Sequence, residues 1–464
     1  MHTFIFNGVK NPNEYAELIR MFLRPSEFSV SEWNPEDGTP AAGGTGRIVR
    51  IPEDLQALGD RCADKRRLYD ILARETGKSP QWGILTGVRP VKLFGDLAET
   101  QGIEAAKKKL AEEYYLERGK IELLSGIYAF QRRHVPLPEA GGVGLYIGIP
   151  FCPTRCEYCS FPSNQAPYAR ILDYLAALRL ENDFVADRMQ EKGLFAESVY
   201  IGGGTPTSLA ETDLDALLSF VERRFSSGRL REFTVEAGRP DTITAGKLRV
   251  MRKHGVDRIS INPQSMNEAT LARIGRRHSA EDVRQAFRMA EEAEIPCVNA
   301  DLIAGLPGET AADFRRSLEQ ILDLAPENIT LHTLAVKRAA RLKETDAEFG
   351  YARAGAAEEM LELAAGLFAA AGYAPYYLYR LKQTAGNLEN VGYAKRQAYG
   401  LYNVRIMEEK QSILAMGAGA STKFWFPQEN RLERVFNVSN YEQYIQRIDE
   451  MLERKSAAWQ RWGA

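Results

Sequence analysis

The chain has 464 residues, 60 basic and 62 acidic, for a formal charge of −2, with 44% hydrophobic and 26% charged residues. That length exceeds what a single core usually serves, so two or three domains are expected, and the composition is that of a globular protein. The balanced charge gives no general attraction to nucleic acid or an anionic membrane. No run of about 18 apolar residues allows membrane insertion.

Five cysteines, an odd number, follow a start (MHTFIFNGVKNPNEY) that lacks a basic, apolar export signal. No disulfide framework is expected, and a cytoplasmic protein with reduced thiols is. In residues 1–140, TPAAGGTG (39–46) reads as a flexible loop and 100–134 as charged helix. HVPLPEAGGVG (134–144) reads as a boundary.

Short β-branched runs then alternate with helical periods. Strands are predicted at LYIGI (145–149), SVYIG (198–202), FTVEA (233–237), RISIN (258–262), CVNADLIAG (297–305) and NITLHTL (328–334). Helices are predicted between them at 168–190, at 212–225, after Thr242, from Ser279 with Asp282 as a capping-box-like start, and after Thr310. Such alternation argues for a parallel sheet, open or closed, with catalytic loops at the C-terminal strand ends. After 340 come an Ala/Glu-rich helix (353–371), an aromatic strand YAPYYLYR (373–380) and SILAMGAGAST (412–422).

FCPTRCEYCSF (151–161) gathers Cys152, Cys156 and Cys159 in the pattern C-x3-C-x2-C directly after the first predicted strand. Cys62 and Cys297 stand alone and are expected to pack. Iron–sulfur clusters normally take four thiolates. Three would leave the fourth iron of a 4Fe–4S cube open to a reactant, whereas a closed shell can only pass electrons. A structural zinc ion needs a fourth ligand at short spacing. His134 lies well upstream, and no histidine follows the loop until His254. A buried-core role suits poorly thiols set among Pro153, Arg155 and Glu157.

Other polar residues also stand at predicted strand ends. GGGTPT (202–207) lacks the lysine of a phosphate loop, and its missing Cβ atoms would let backbone N–H groups approach a ligand closely. Glu236 ends FTVE, where a core strand would not normally place a carboxylate. Gln264 and Asp301 end the next two strands. Each alone could be a helix cap or a surface charge.

With Tyr158 completing C-x3-C-x-aromatic-C, the sequence resembles the radical S-adenosylmethionine (SAM) superfamily. The resemblance implies an α/β fold: a partial (β/α)6 TIM-type radical SAM barrel at 141–340, an N-terminal α+β accessory domain at 1–140, and a C-terminal α/β extension at 341–464. It implies a 4Fe–4S cluster on Cys152, Cys156 and Cys159, with SAM on the open iron. One electron from the cluster would then split SAM into methionine and a 5′-deoxyadenosyl radical.

YIGIPFC (146–152), GGGTPT, the Glu236 strand end, INPQSMN (261–267), GRRH (275–278) and DLIAGLPGET (301–310) are together similar to the branch containing oxygen-independent coproporphyrinogen III oxidase. ILTGVRP (84–90) and the tail after 390 look most like its HemZ-type members. By that resemblance Tyr146 contacts SAM, Gly203, Gly204 and Thr205 line its methionine moiety, and Glu236 accepts from its ammonium. Gln264 and Asp301 suit its ribose hydroxyls, and Arg276 pairs with its carboxylate.

The implied activity is oxidative decarboxylation of two coproporphyrinogen III propionates to vinyl groups, with an electron donor such as flavodoxin or ferredoxin. Neither nucleic acid nor membrane insertion is expected. For the tetrapyrrole itself, Arg338, Arg341 and Arg380 with Tyr376, Tyr377 and Tyr379 are candidates. A solvated basic loop beside an edge strand whose tyrosines pack on a helix is the favoured alternative.

Two departures stand out. Well-characterised bacterial oxidases carry a cysteine where this chain has Phe161, and their N-terminal arm is shorter. The related haem chaperones carry a histidine–asparagine motif, but ENVGYAKRQAYGLYN (389–403) has no histidine, nor does anything after His332. A haem-binding protein that keeps the cluster, and radical chemistry on another tetrapyrrole such as methyl transfer or ring opening, remain alternatives.

Overall fold

The computed structural model describes residues 2–6, 12–24, 26–32, 48–51, 61–335, 354–381 and 384–462. Near the N-terminus, β1 (His2–Phe6), β2 (Phe28–Glu32) and β3 (Ile48–Ile51) form a small parallel sheet in the order β2-β1-β3. Phe4, Phe22, Leu68 and Leu72 are buried in its own core. TPAAGGTG, Arg338 and Arg341 lie outside the described residues.

The main sheet begins with β4 (Gly142–Ile149), β5 (Phe195–Gly203), β6 (Glu232–Gly238), β7 (Arg258–Gln264), β8 (Cys297–Ala304) and β9 (Asn328–Thr333). These six are parallel and adjacent in sequence order, with helices in every crossover. The result is the expected α/β half barrel. Ser279 and Thr310 each open a helix with a reciprocal capping box, as the Ser279–Asp282 spacing predicts.

Period-two alternation decides which side chains reach the site. Ile147, Ile201, Val235 and Ile259 are register partners along successive strands, and all are fully buried. Each such side chain contributes about 1.5–3 kcal/mol when buried. A one-residue slip would exchange that row for Tyr146, Tyr200 and Thr234, which pair on the other face. The apolar rows therefore set the register that delivers the polar residues inward.

The described residues from 354 onward join the same sheet at both sides. β10 (Tyr373–Arg380) and β11 (Glu389–Lys395) add antiparallel strands beyond β9. β12 (Ile413–Met416) pairs parallel with β4, and β13 (Ser421–Phe426) and β14 (Arg431–Phe436) extend the sheet outward. Glu197 of β5 receives both Arg405 Nε and Nη2 at 3.1 Å, with both side chains buried. Glu181 binds Lys455 at 2.7 Å and accepts from Gly417 N at 2.7 Å. Gly417 has φ +101, and a Cβ there would lie 2.6 Å from Gly148 O. The missing side chain thus lets the β12–β13 turn press on β4 just below the cysteine loop.

Candidate functional site

The cysteine loop is held by backbone on three sides. Gly204 N donates to Ile149 O and Thr205 N to Phe151 O, both at 2.8 Å, which carries the β4–β5 pairing past the strand ends. Cys152 N donates to Asn164 O at 3.0 Å, Cys159 N to Cys156 O at 3.1 Å, and Glu157 N to Ile274 O at 3.1 Å. A Cβ on Gly204 would lie 2.6 Å from Phe151 O. Here structure and sequence reading differ. The glycines let two loops close on each other, and the N–H groups of Gly204 and Thr205 are used within the protein.

Cys156 is buried, Cys152 and Cys159 partly so, and Cys152 Sγ lies 3.3 Å from Thr205 Oγ1. Desolvation, with the neighbouring thiols adding to it, pushes Cys152 up to about 11. Burial also raises Cys159. Arg239 counters this charge crowding: its Nη1 sits 3.9 Å from Cys156 Sγ and donates to Thr154 O at 3.3 Å, while Asp241 fixes its other edge. Sequence reasoning missed Arg239; its signal was a cation three residues past Glu236 at a strand end. Among the described residues no three His, Cys, Asp or Glu side chains form a ready site for one metal ion. An all-thiol donor set on one loop, backed by guanidinium, instead has the chemistry of an iron–sulfur cluster.

Facing this loop, Arg276 donates from Nη2 to the Tyr158 hydroxyl at 2.8 Å. Its Nε and Nη1 are buried without a hydrogen-bond partner among the described residues, as is Gln264 Oε1. Gln264 ends β7 at φ +70, a conformation that is costly for a side-chain-bearing residue and characteristic of functional sites. Buried groups left unpaired cost about 1–3 kcal/mol each, so this arrangement suits a polar anionic ligand. His278, also missed, packs behind with Nε2 3.3 Å from Pro263 O. Burial and then Arg276 push it down to about 4.

Across the half barrel, Tyr200 donates its hydroxyl to Glu236 Oε1, and Gly203 N donates to Glu236 Oε2 at 3.2 Å. Burial raises the Glu236 carboxyl to about 7, and nearby Asp301 adds to this. Asp301 accepts from Asn299 at 2.7 Å and stands 3.5 Å from His332 Nε2; His332 Nδ1 lies 3.1 Å from the Tyr379 hydroxyl. Tyr146, Tyr200 and Tyr402 stack, with centroids 6.3 Å (Tyr146–Tyr200) and 4.6 Å (Tyr200–Tyr402) apart. The C-terminal tyrosine of this stack carried no motif in the sequence.

The substrate-side candidates separate. Arg380 is buried and spends its guanidinium on Asn387 O and Leu85 O, over the Trp82 ring. Tyr376 donates to Asn328 Oδ1 at 3.0 Å within a packed cluster. Tyr377 is buried in that same cluster, and only Tyr379 bonds His332. A cleft of about 230 Å³ does open beside the cysteine loop, lined by Ile149, Pro150, Phe161, Tyr402, Ala415 and Lys423 among others.

Residues 146–321 match the family model described as the radical SAM superfamily. Over 392 residues the chain is 39% identical to the oxygen-independent coproporphyrinogen-III oxidase-like protein HemZ of Bacillus subtilis, covering 83% of this chain and 78% of that one. It is 36% identical over 193 residues to the heme chaperone HemW of the same organism, covering 41% of this chain and 50% of HemW. The structure of coproporphyrinogen III oxidase (HemN) from Escherichia coli, a radical SAM enzyme, has the same fold with a TM-score of 0.54 at 22% identity, over 70% of this chain and 73% of that one. No helix among the described residues is long and apolar enough to cross a membrane.

Proposed function

We propose that this chain, which belongs to the oxygen-independent coproporphyrinogen-III oxidase-like family of the radical SAM superfamily, oxidatively decarboxylates propionate side chains of a porphyrinogen, coproporphyrinogen III first among them. The cofactors of the superfamily are a 4Fe–4S cluster and SAM; when bound, they supply a carbon-centred radical that can take a hydrogen atom from an unactivated carbon. In the proposed conversion each propionate loses one hydrogen atom from its β-carbon, carbon dioxide, and one electron to an external acceptor. A vinyl group remains. A low-potential donor such as flavodoxin or ferredoxin would reduce the cluster, in the cytoplasm, where thiols stay reduced.

In this reading Cys152, Cys156 and Cys159 hold the cluster, and Arg239 offsets thiolate charge. Arg276 pairs with the SAM carboxylate through its free N–H groups, held in aim by Tyr158. Gln264 and Asp301 take ribose hydroxyls, and Glu236 accepts from the ammonium. Tyr146 flanks the ligand through its stack on Tyr200. Gly203, Gly204 and Thr205 shape the wall that holds Cys152 in place. The protein's contribution is orientation and exclusion of water.

The observation that carries the reading is that Arg276 Nε and Nη1 and Gln264 Oε1 are buried without a hydrogen-bond partner among the described residues, opposite a three-thiol loop. The oxidase-like relative is matched over twice the length matched in HemW, which favours the decarboxylase. Phe161 and the HemW similarity favour a second reading, a haem-binding protein that keeps the cluster. Anaerobic incubation of the reduced protein with SAM and coproporphyrinogen III separates them. Vinyl product rising with 5′-deoxyadenosine is expected. Stoichiometric haem binding with neither product would overturn the decarboxylase in favour of the second reading.

A further inference from the structure

The cleft beside the cysteine loop has one charged group in its lining, Lys423, among apolar neighbours that include Ile406, Ile413, Ala418 and Phe161. Lys423 sits on β13 directly opposite Arg434 of β14, and like charges in that position repel. Arg434 is tied to Glu409 at 3.0 Å, Arg89 to the same carboxylate at 2.8 Å, and Lys92 at 3.5 Å. Glu409 is therefore the single anion shared by three cations. Lys423 itself has no ion-pair partner among the described residues. Arg89 also keeps a buried Nε without a hydrogen-bond partner among the described residues.

The geometry points to Lys423, backed by Arg89 and Arg434, as the anchor for one carboxylate of the substrate, placing that side chain in the cleft next to the cysteine loop. The inference rests on the tetrapyrrole reading above and names where one propionate is held. A volume of about 230 Å³ is below the usual range for a whole drug-sized ligand. It fits a single pyrrole with its acidic arm, so the remaining rings would lie at the mouth. Burial, then Arg89 and Arg434, push Lys423 down to about 8 against the opposing pull of the Glu409 carboxylate. Glu409 is already paired with Arg89, Lys92 and Arg434, and an entering carboxylate adds counter-charge at Lys423, which a neutral ligand would not.

The test uses the cluster-loaded full chain and two probes, coproporphyrin III and its uncharged tetra-amide, with binding read by fluorescence. For Lys423→Met, affinity for the acid is expected to fall at least tenfold, affinity for the amide to stay the same, and Lys423→Arg to restore acid binding. Unchanged cluster absorption and melting temperature exclude a folding defect as the cause. If Lys423→Met binds the acid as wild type does, the anchor is overturned while the tetrapyrrole reading stands. If wild type binds neither probe, the tetrapyrrole reading fails and the anchor with it.

Discussion

Arg276 and Tyr158 meet at 2.8 Å, joining the segment after the β7 strand end to the aromatic residue inside the cysteine motif. The bond uses one edge of the guanidinium and leaves Nε and Nη1 buried without a hydrogen-bond partner among the described residues. It also explains why the motif position before Cys159 is aromatic with a hydroxyl. Tyr158 reaches out of the loop and fixes one edge of the guanidinium that, in the proposed reading, receives the ligand.

Arg276→Lys keeps the charge and loses the fork, so SAM affinity is expected to drop by about 10–100-fold, the worth of about 1.5–3 kcal/mol for hydrogen bonds to a charged group. The cluster spectrum should not change. Tyr158→Phe should weaken binding less, and in the double variant its effect should vanish. Calorimetric titration of all four proteins with SAM reads the coupling; additive losses would show that Tyr158 does not act through Arg276.

Glu236 is expected to make stability fall as pH rises. Its folded carboxyl titrates at about 7, against about 4.3 in an unfolded chain. Between those values the folded state holds a proton that the unfolded chain has released. Stability is therefore highest below about 4.3 for this group and declines as pH rises through 7. Glu236→Gln should lose less stability than wild type between pH 5 and pH 8, measured as urea midpoints without SAM. An identical slope in both proteins would contradict the buried, raised carboxyl.

Gly204→Ala should disrupt the cysteine loop without unfolding the barrel. The new Cβ would lie 2.6 Å from Phe151 O, a backbone atom that can move only by shifting Cys152 with it. Iron and sulfide content after reconstitution should fall to a small fraction of wild type, with circular dichroism unchanged. Full iron content would mean that the loop tolerates the displacement.

Glu197→Ala leaves the buried Arg405 with Glu408 at 3.5 Å and the Pro136 carbonyl at 2.7 Å, at a cost of up to about 3–5 kcal/mol. Replacing the pair together by Leu and Met should cost much less. Denaturant midpoints of the three proteins measure the difference.

The half barrel and its cysteine loop were legible because their signals are local. Alternating apolar runs located β4 to β9, and Ser279 with Asp282 announced a helix start that the structure forms. The placement of β12 beside β4 was not legible, since Ile413 and Gly144 become register partners only in three dimensions. For the same reason the meeting of Lys423, Arg89 and Glu409 was not legible: Arg89 stands in ILTGVRP (84–90), Glu409 and Lys423 stand in the tail after 390, and packing alone brings them together. Arg380 read as a candidate for a substrate carboxylate or as part of a solvated basic loop, yet Leu85 and Asn387 carbonyls fold around it. The glycine run was located by its composition, but its work is loop-on-loop contact, which spacing does not reveal.

The most direct test of the central claim is electron paramagnetic resonance of the reduced, reconstituted protein and of Cys156→Ala, each with and without SAM. Wild type should give a 4Fe–4S signal that shifts when SAM is added, and Cys156→Ala should give none. A full cluster signal in Cys156→Ala, or a wild-type signal indifferent to SAM, would contradict an open cluster held by these three thiols.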